Sequence, residues 1–220
     1  MNEDERKGFI LVGTLGLGSL AVWYLSRQRD TSAASTWWAP GPLSLGCPPH
    51  PDGENVTPPP ENGTPLGRYF TVEELSVSAT AERHGLDNTP RGEALENLQH
   101  LVNNVLDPFR ALIGKPIRVN SGYRSPEVNS RISAASSTSQ HMEGRAVDFL
   151  IEGMEAEAIA QAFHESGLDF DQLIWYTPGQ GGHVHISYVH PSVRPNRNMM
   201  RKKDSSGYHT WTPSPLRTSV

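Results

Sequence analysis

Asp148 is the residue of this sequence that most needs a chemical explanation. It lies within Ala146–Ile151, an otherwise apolar run that is typical of a buried strand. Side chains alternate along a strand, so Asp148 faces the side opposite to that of its two immediate neighbours. A buried carboxylate is costly unless a cation or several hydrogen-bond donors compensate it. A salt bridge to Arg124 or Arg145 would do so, and so would a metal ion.

Three histidines lie where they could join Asp148 in a metal site. His183 and His185 are two residues apart, so on a strand both imidazoles project from one face. His141 precedes Asp148 by seven residues, with Gly144 between them to permit a turn. Two histidines and one carboxylate form a ligand set suited to catalytic zinc, which keeps its fourth position for water. The single cysteine of the chain excludes a multi-cysteine zinc site.

These residues belong to three motifs that follow one another along the chain. Ser139–Asp148 reads SQHMEGRAVD and satisfies the pattern Ser-x-His-x-x-Gly-x-Ala-x-Asp. Ser121–Ser125 (SGYRS) lies upstream, and His183-x-His185 lies downstream. In these motifs the chain resembles the zinc D-alanyl-D-alanine carboxypeptidases and their endopeptidase relatives (LAS-type metallopeptidases), which cut peptidoglycan stem peptides. The resemblance covers residues 68–193.

The resemblance implies a complete set of functional residues. One Zn²⁺ ion would be held by three ligands: His141, Asp148 and His185. Two further residues would take part in catalysis beside the metal. His183 would assist proton transfer or stabilise the transition state, and Arg124 would grip a substrate carboxylate or polarise the scissile carbonyl. Ser139 is expected to contact the substrate.

One position departs from the pattern of some relatives. They have Glu-x-x-His, with the glutamate as general base, whereas the residue three before His185 is Gly182. Either His183 or Asp171 must then act as the base, or the mechanism is modified; we favour His183, because a strand fixes its position relative to His185. The missing glutamate also motivates an alternative function, a catalytically inactive, metal-containing module that binds cell-wall peptide or a protein partner.

The elements that position these residues are predicted from periodicity and capping signals. The main amphipathic helix is expected from Leu95 to Phe109, opened by Thr89-Pro90 and kinked or restarted at Pro108. Shorter helices are expected after Thr71, after Ser125 and over Glu155–Ser166. The predicted strands are 117–119 and Ala146–Ile151, followed by a hairpin of Leu173–Tyr176 and His183–Tyr188. The expected fold class is α+β, with a small antiparallel sheet packed against helices and carrying the zinc site.

Four segments lie outside the predicted peptidase domain of residues 68–193. Residues 1–7 form a short charged segment, and residues 8–25 contain no charge and are expected to be a transmembrane anchor of roughly 27 Å. Residues 26–67 form a linker rich in proline and glycine, and residues 194–220 form a basic tail that is expected to be irregular. The domain would face the periplasm or cell wall, as in phage lysis enzymes at a host inner membrane.

The overall charge bears on whether the protein binds nucleic acid. A net charge of -5 argues against a general nucleic-acid binder, which would carry a basic face. The sequence therefore predicts a membrane-anchored zinc metallopeptidase of D,D-carboxypeptidase or L,D-endopeptidase type. Its partner would be peptidoglycan, and its role would be cell-wall degradation or phage lysis, in the manner of an endolysin.

Overall fold

A computed structural model describes residues 63–133 and 135–215. The predicted charged segment, the predicted anchor and nearly all of the predicted linker, up to residue 62, lie outside the described residues. Within the described ranges, no helix is both long enough and apolar enough to cross a bilayer. Leu66 is only 4% exposed and packs in the core, so the folded part begins before residue 68.

The described helices are short, and three of them begin at a serine or threonine whose side chain caps the first turn. They are α1 Val72–Ser76, α2 Ala79–His84, α3 Glu93–Leu101, α4 Asp107–Ile113, α5 Pro126–Ser130 and α6 Ala156–Glu165. The hydroxyl of Thr71 accepts the amide of Glu74 at 3.2 Å to cap α1, and the hydroxyl of Ser125 accepts the amide of Val128 at 3.3 Å to cap α5. Both helix starts are as the sequence predicts.

The main helix restarts beside Pro108, as the sequence predicts, but it begins later than predicted. It begins at Glu93 rather than at Pro90, because the Asp87 carboxylate accepts the Thr89 amide at 2.8 Å and keeps that segment in a turn. A π-helical turn, Val102–Leu106, joins α3 to α4 directly before Pro108. Pro108 has no amide hydrogen for the carbonyl four residues back, and the wider turn accommodates it without ending the helix.

The strands form one six-stranded sheet in the described part of the chain. They are β1 Arg118–Ser121, β2 Ala146–Leu150, β3 Gln172–Tyr176, β4 Val184–Ser187, β5 Met199–Asp204 and β6 Gly207–Thr210, in the order β1-β2-β4-β3-β5-β6. The predicted hairpin is present as β3 and β4, joined through a 3₁₀ turn at Pro178–Gln180. β3 and β5 pair in parallel, so the sheet is mixed, and the prediction of a purely antiparallel sheet is wrong.

The prediction of an irregular tail after Val193 is also wrong. β5 and β6 extend the sheet, and Trp211 is only 9% exposed, with its ring edge-on to that of Trp175 at 6.2 Å. The basic residues of this segment made it look like a solvated tail in the sequence. A strand with one open face can carry charged side chains on that face, so basic residues do not exclude a strand.

The two faces of the sheet have opposite character. Buried apolar residues of β2, β3 and β4 face the helices, where Phe149 and Phe163 both pack against Phe109 of α4. Asp148 and His185 are paired across β2 and β4 and lie on the opposite face. The core is thus built on one side of the sheet, and its other side is left for polar chemistry.

Candidate metal centre

His141, Asp148 and His185 come together on the open face of the sheet. One ligand atom from each of the three lies within 4.8 Å of those of the other two. Nε2 of His141 is 3.3 Å from Oδ1 of Asp148, and Nδ1 of His185 is 2.8 Å from the same oxygen. The structure therefore brings together the three residues that the sequence predicts as ligands.

His141 is oriented by the motif that precedes it in the sequence. Its Nδ1 donates to the carbonyl oxygen of Gly122 at 2.7 Å, which leaves the lone pair of Nε2 available on the side of Asp148. The amide of Arg124 in turn donates to the carbonyl of His141 at 3.1 Å. Gly122 has no room for a side chain, because a Cβ there would collide with the Leu75 carbonyl. The Ser121–Ser125 motif therefore positions the first ligand.

The turn between His141 and β2 is pressed against helix α3. Gly144 has a φ of 70°, and a Cβ on it would collide with the carbonyl of Ala94. The side-chain amide of Asn97 donates to the Glu143 carbonyl at 2.9 Å, which fixes the same turn from the helix side. This contact explains why the motif requires a glycine between its histidine and its aspartate.

Of the two arginines that the sequence suggests as salt-bridge partners of Asp148, only Arg124 pairs with it. Nη2 of Arg124 donates to Oδ2 of Asp148 at 2.8 Å, and Nε of Arg124 donates to the Ser121 hydroxyl at 2.8 Å. Arg145 pairs instead with Glu143 at 2.7 Å and with Glu93 at 3.1 Å. Arg124 thus holds one carboxylate oxygen of Asp148, and the other oxygen faces the two histidines.

The electrostatics of the cluster favour an ionised carboxylate at Asp148 and a neutral imidazole at His185. Burial raises the pKa of the Asp148 carboxyl, but the adjacent His141 and His185 outweigh it and hold that pKa well below its ordinary value. Burial lowers the pKa of His185, although Asp148 opposes the shift. An ionised carboxylate and unprotonated imidazole nitrogens are the forms that bind a metal.

This donor set fits a zinc ion. Tetrahedral zinc with bonds of about 2.0–2.2 Å separates its ligand atoms by about 3.3–3.6 Å, which matches the His141–Asp148 distance. The shorter His185–Asp148 distance is that of a hydrogen bond. Three protein ligands leave the fourth position open, as catalytic zinc sites require. Second partners also hold two of the ligands, through Gly122 for His141 and Arg124 for Asp148.

His183 lies beside the cluster without belonging to it. Its ring stacks on the ring of Tyr176 with centroids 4.2 Å apart and planes 16° apart. Burial lowers its pKa, while Asp148 acts in the opposite sense. Tyr176 is a site residue that sequence reasoning missed; alternation along β3 from Ile174, which pairs with His185, would have placed it on this face.

Asp171, the alternative candidate for the general base, is occupied elsewhere. Its fully buried carboxylate accepts hydrogen bonds from Arg194 at 2.6 Å, from Arg197 at 2.5 Å and from the amide of Gln140 at 2.9 Å. Burial raises the pKa of this carboxyl, but the two guanidinium groups prevail and hold it far below its ordinary value. Such a group is a poor proton acceptor, so Asp171 acts as a structural clamp on residues of the supposed tail.

Ser139 lies two residues before His141, at the start of the turn. It is half-buried, and its carbonyl accepts the Met142 amide at 3.0 Å. Its hydroxyl forms no hydrogen bond within residues 63–133 and 135–215. Contact of Ser139 with substrate therefore stays a prediction.

Comparison with known proteins connects this geometry to a family. A family model described as Peptidase M15 matches residues 68–187, which is more than half of the chain and includes His141, Asp148 and His185. The peptidoglycan L,D-endopeptidase MepK of Escherichia coli K12 is 28% identical over 159 residues, which cover 61% of this chain and 81% of the relative. MepK proteins of Escherichia coli O157:H7 and Shigella flexneri match to the same extent.

Proposed function

Because the chain belongs to the Peptidase M15 family, we propose that it is a zinc-dependent hydrolase of peptide bonds in peptidoglycan stem peptides or crosslinks. The observation that carries the proposal is the buried cluster of His141, Asp148 and His185 on the open face of the sheet. Of the two reaction types, we favour an L,D-endopeptidase over a D,D-carboxypeptidase, since the similar MepK proteins are named for that activity.

The residues around the cluster suggest separate roles in substrate binding and proton transfer. A bound zinc ion would polarise the scissile carbonyl and supply a hydroxide nucleophile at neutral pH. Arg124 is held by Ser121 and Asp148, and its Nη1 forms no hydrogen bond within the described residues. That nitrogen can bind a substrate carboxylate or the carbonyl oxygen. His183, held in place by Tyr176, would take a proton from the attacking water as general base and pass it to the leaving amine.

The direct test combines metal content with product analysis. Purified protein should contain one zinc ion per chain, and mass spectrometry of digested sacculi should show cut stem peptides that disappear with a chelator. His141→Ala and Asp148→Ala should lose both zinc and products, whereas His84→Ala, at an exposed position of α2, should keep both. Absence of stoichiometric zinc from the wild type would refute the proposal.

A binding module without activity is the alternative, motivated by Gly182 in place of a glutamate base. It predicts that the zinc-loaded protein retains muropeptides but releases no D-alanine, dipeptide or other fragment. Any metal-dependent product excludes this alternative. Zinc together with binding and no product would favour it over hydrolysis.

The location of the protein is a separate proposal, which the uncharged segment 8–25 supports. This segment would anchor the chain in a membrane, with the peptidase domain facing the periplasm or cell wall, at a host inner membrane if the protein serves phage lysis. Gly16→Leu combined with Gly18→Leu should raise the membrane-bound fraction, because both changes make the segment more apolar. Full recovery of the unmodified chain in the soluble fraction would contradict an anchor.

A further inference from the structure

The open face of the sheet continues beyond the metal centre onto the C-terminal strands. Tyr176 of β3 is paired with Lys203 of β5, which is paired with Tyr208 of β6. Directly paired residues present their side chains on the same face, so all three lie on the face that carries His185. Arg201, two residues before Lys203, shares that face. We call Arg201, Lys203 and Tyr208 the edge cluster.

Two cations of the edge cluster gather at one aromatic ring. Nζ of Lys203 lies 4.7 Å from the ring centroid of Tyr208, and the guanidinium carbon of Arg201 lies 5.4 Å from it. Within the described ranges, neither cation has an acidic partner within 4.0 Å. Cation–π contacts at an exposed ring are worth about 0.5–1 kcal/mol each, so they orient the cations without neutralising their charge. Tyr208 itself is 48% exposed.

The edge cluster is joined to the catalytic site by a pair of tyrosines. The hydroxyls of Tyr208 and Tyr176 are 3.2 Å apart, and the ring of Tyr176 stacks on His183. The phenol of Tyr176 is protonated at neutral pH, and burial raises its pKa further. From β4 to β5 the sheet spans two strand spacings, about 10 Å, which an extended peptide crosses in about three residues. A substrate lying across this face would therefore reach both places at once.

We propose that the edge cluster is a subsite for a carboxylate of the substrate peptide, located about three residues from the bond that is cleaved. This inference rests on the proposed function, since it assumes that a peptide is cut at the metal centre. Two unpaired cations and a phenolic hydroxyl form a site that favours an anion, and the arginine fork can bind a carboxylate through two parallel bonds. The subsite would select acidic peptides over neutral ones of the same length.

The strand itself offers a matched control. Lys202 lies between the two cations in sequence but points to the opposite face, where its Nζ is 5.3 Å from the ring centroid of Trp175. Lys202→Gln and Lys203→Gln therefore remove the same charge from adjacent positions of one strand. Only the second removes it from the proposed subsite.

The test compares two stem tetrapeptides, one with its internal carboxylates free and one with them amidated. For the free acid, Arg201→Gln combined with Lys203→Gln should raise KM about tenfold, with kcat within about twofold of wild type. For the amidated peptide, KM should change less than about twofold. Lys202→Gln should behave as wild type with both. Added salt should raise the wild-type KM for the acid more than for the amide, because exposed charges are screened.

The outcomes separate this proposal from the proposed function. If the zinc-loaded wild type cuts neither peptide and also releases no fragment from sacculi, the proposed hydrolysis has failed. A second outcome is that the wild type cuts both peptides, but the ratio of KM for the acid to KM for the amide is the same in the double variant as in Lys202→Gln. That result refutes the subsite and leaves the proposed hydrolysis intact. Fluorescence anisotropy can measure binding of the free acid to chelator-treated protein, in which no turnover occurs. The dissociation constant should be about tenfold higher for the double variant than for the wild type.

Discussion

Gly144 and Gly153 provide a comparison of one residue type in two environments. Both have positive φ, 70° and 74°, but a Cβ at Gly144 would collide with the Ala94 carbonyl, whereas nothing lies within 4 Å of one at Gly153. The two positions therefore separate the cost of backbone conformation from the cost of close packing.

We predict that Gly153→Ala lowers the free energy of unfolding by about 1 kcal/mol, the cost of a left-handed conformation. Gly144→Ala should lower it by about 3 kcal/mol, because the turn must also move away from α3. Urea denaturation of both variants measures the difference. Zinc affinity should fall only for Gly144→Ala, since that turn positions His141; equal losses of stability would contradict the packing argument.

His183 can be tested apart from the ligands. We predict that His183→Ala lowers kcat by about 10²- to 10⁴-fold, the usual contribution of an acid–base group, while zinc content stays at wild-type level. The exposed His164→Ala, on α6, serves as the matched histidine control. Unchanged kcat in His183→Ala would remove His183 from the reaction.

At the scale of single residues, the sequence was most informative about the ligands. Alternation around Asp148, the His183-x-His185 spacing and the glycine in the turn predicted a cluster of histidines around one carboxylate. The family resemblance selected His185 rather than His183, and the structure brings His141, Asp148 and His185 together. The contact between Tyr176 and Tyr208 could not be predicted, because the two residues are 32 apart in sequence and meet only through the pairing of β3, β5 and β6.

At the scale of the elements, the buried Asp171 carboxylate anchors the segment that leads into the C-terminal strands. The Asp171 carboxylate binds Arg194 and Arg197, which lie in the segment that leads to β5. The same carboxylate accepts the Gln140 amide, one residue before His141. The Asp171 clamp thus connects the added strands to the turn that carries His141.

We predict that Asp171→Asn lowers the free energy of unfolding by about 2 kcal/mol at pH 7, less than for a wholly buried pair because both arginines are partly exposed. The pKa of Asp171 is depressed in the folded state. Its stabilisation is therefore fully present above the unfolded pKa of about 3.9 and is lost as the pH falls below it. The difference between wild type and variant in urea denaturation should shrink in acid; a constant difference would contradict the clamp.

The element predictions succeeded where a local signal decided the outcome. Capping at Thr71 and Ser125 gave the correct helix starts, and the hairpin of β3 and β4 followed from its glycine-rich connection. The start of α3 was predicted too early, because the Asp87 side chain accepts the Thr89 amide and holds that segment outside the helix. β5 was missed because its parallel partner, β3, lies 27 residues earlier and leaves no mark on local composition.

For the molecule as a whole, a metal at this site would connect parts of the chain that are far apart in sequence. His141 and Asp148 flank one turn, and His185 lies on a strand 37 residues after Asp148. A ligand that binds only the folded state stabilises it by mass action. Zinc should therefore act on the stability of the whole domain.

We predict that free zinc at one hundred times its dissociation constant raises the free energy of unfolding by about 2.7 kcal/mol relative to chelator-treated protein. His141→Ala should lack this increment, and His84→Ala should retain it. Scanning calorimetry with and without zinc provides the measurement. An equal gain in His141→Ala would show that the metal acts at another place.

The parallel pairing of β3 with β5 has an evolutionary consequence. The last two strands are hydrogen-bonded to the rest of the sheet along a single border, and the reacting groups lie on the other side of that border. A lineage can therefore change the side chains of its outer hairpin while His141, Asp148 and His185 stay in place, provided that Arg194 and Arg197 keep their contacts with Asp171.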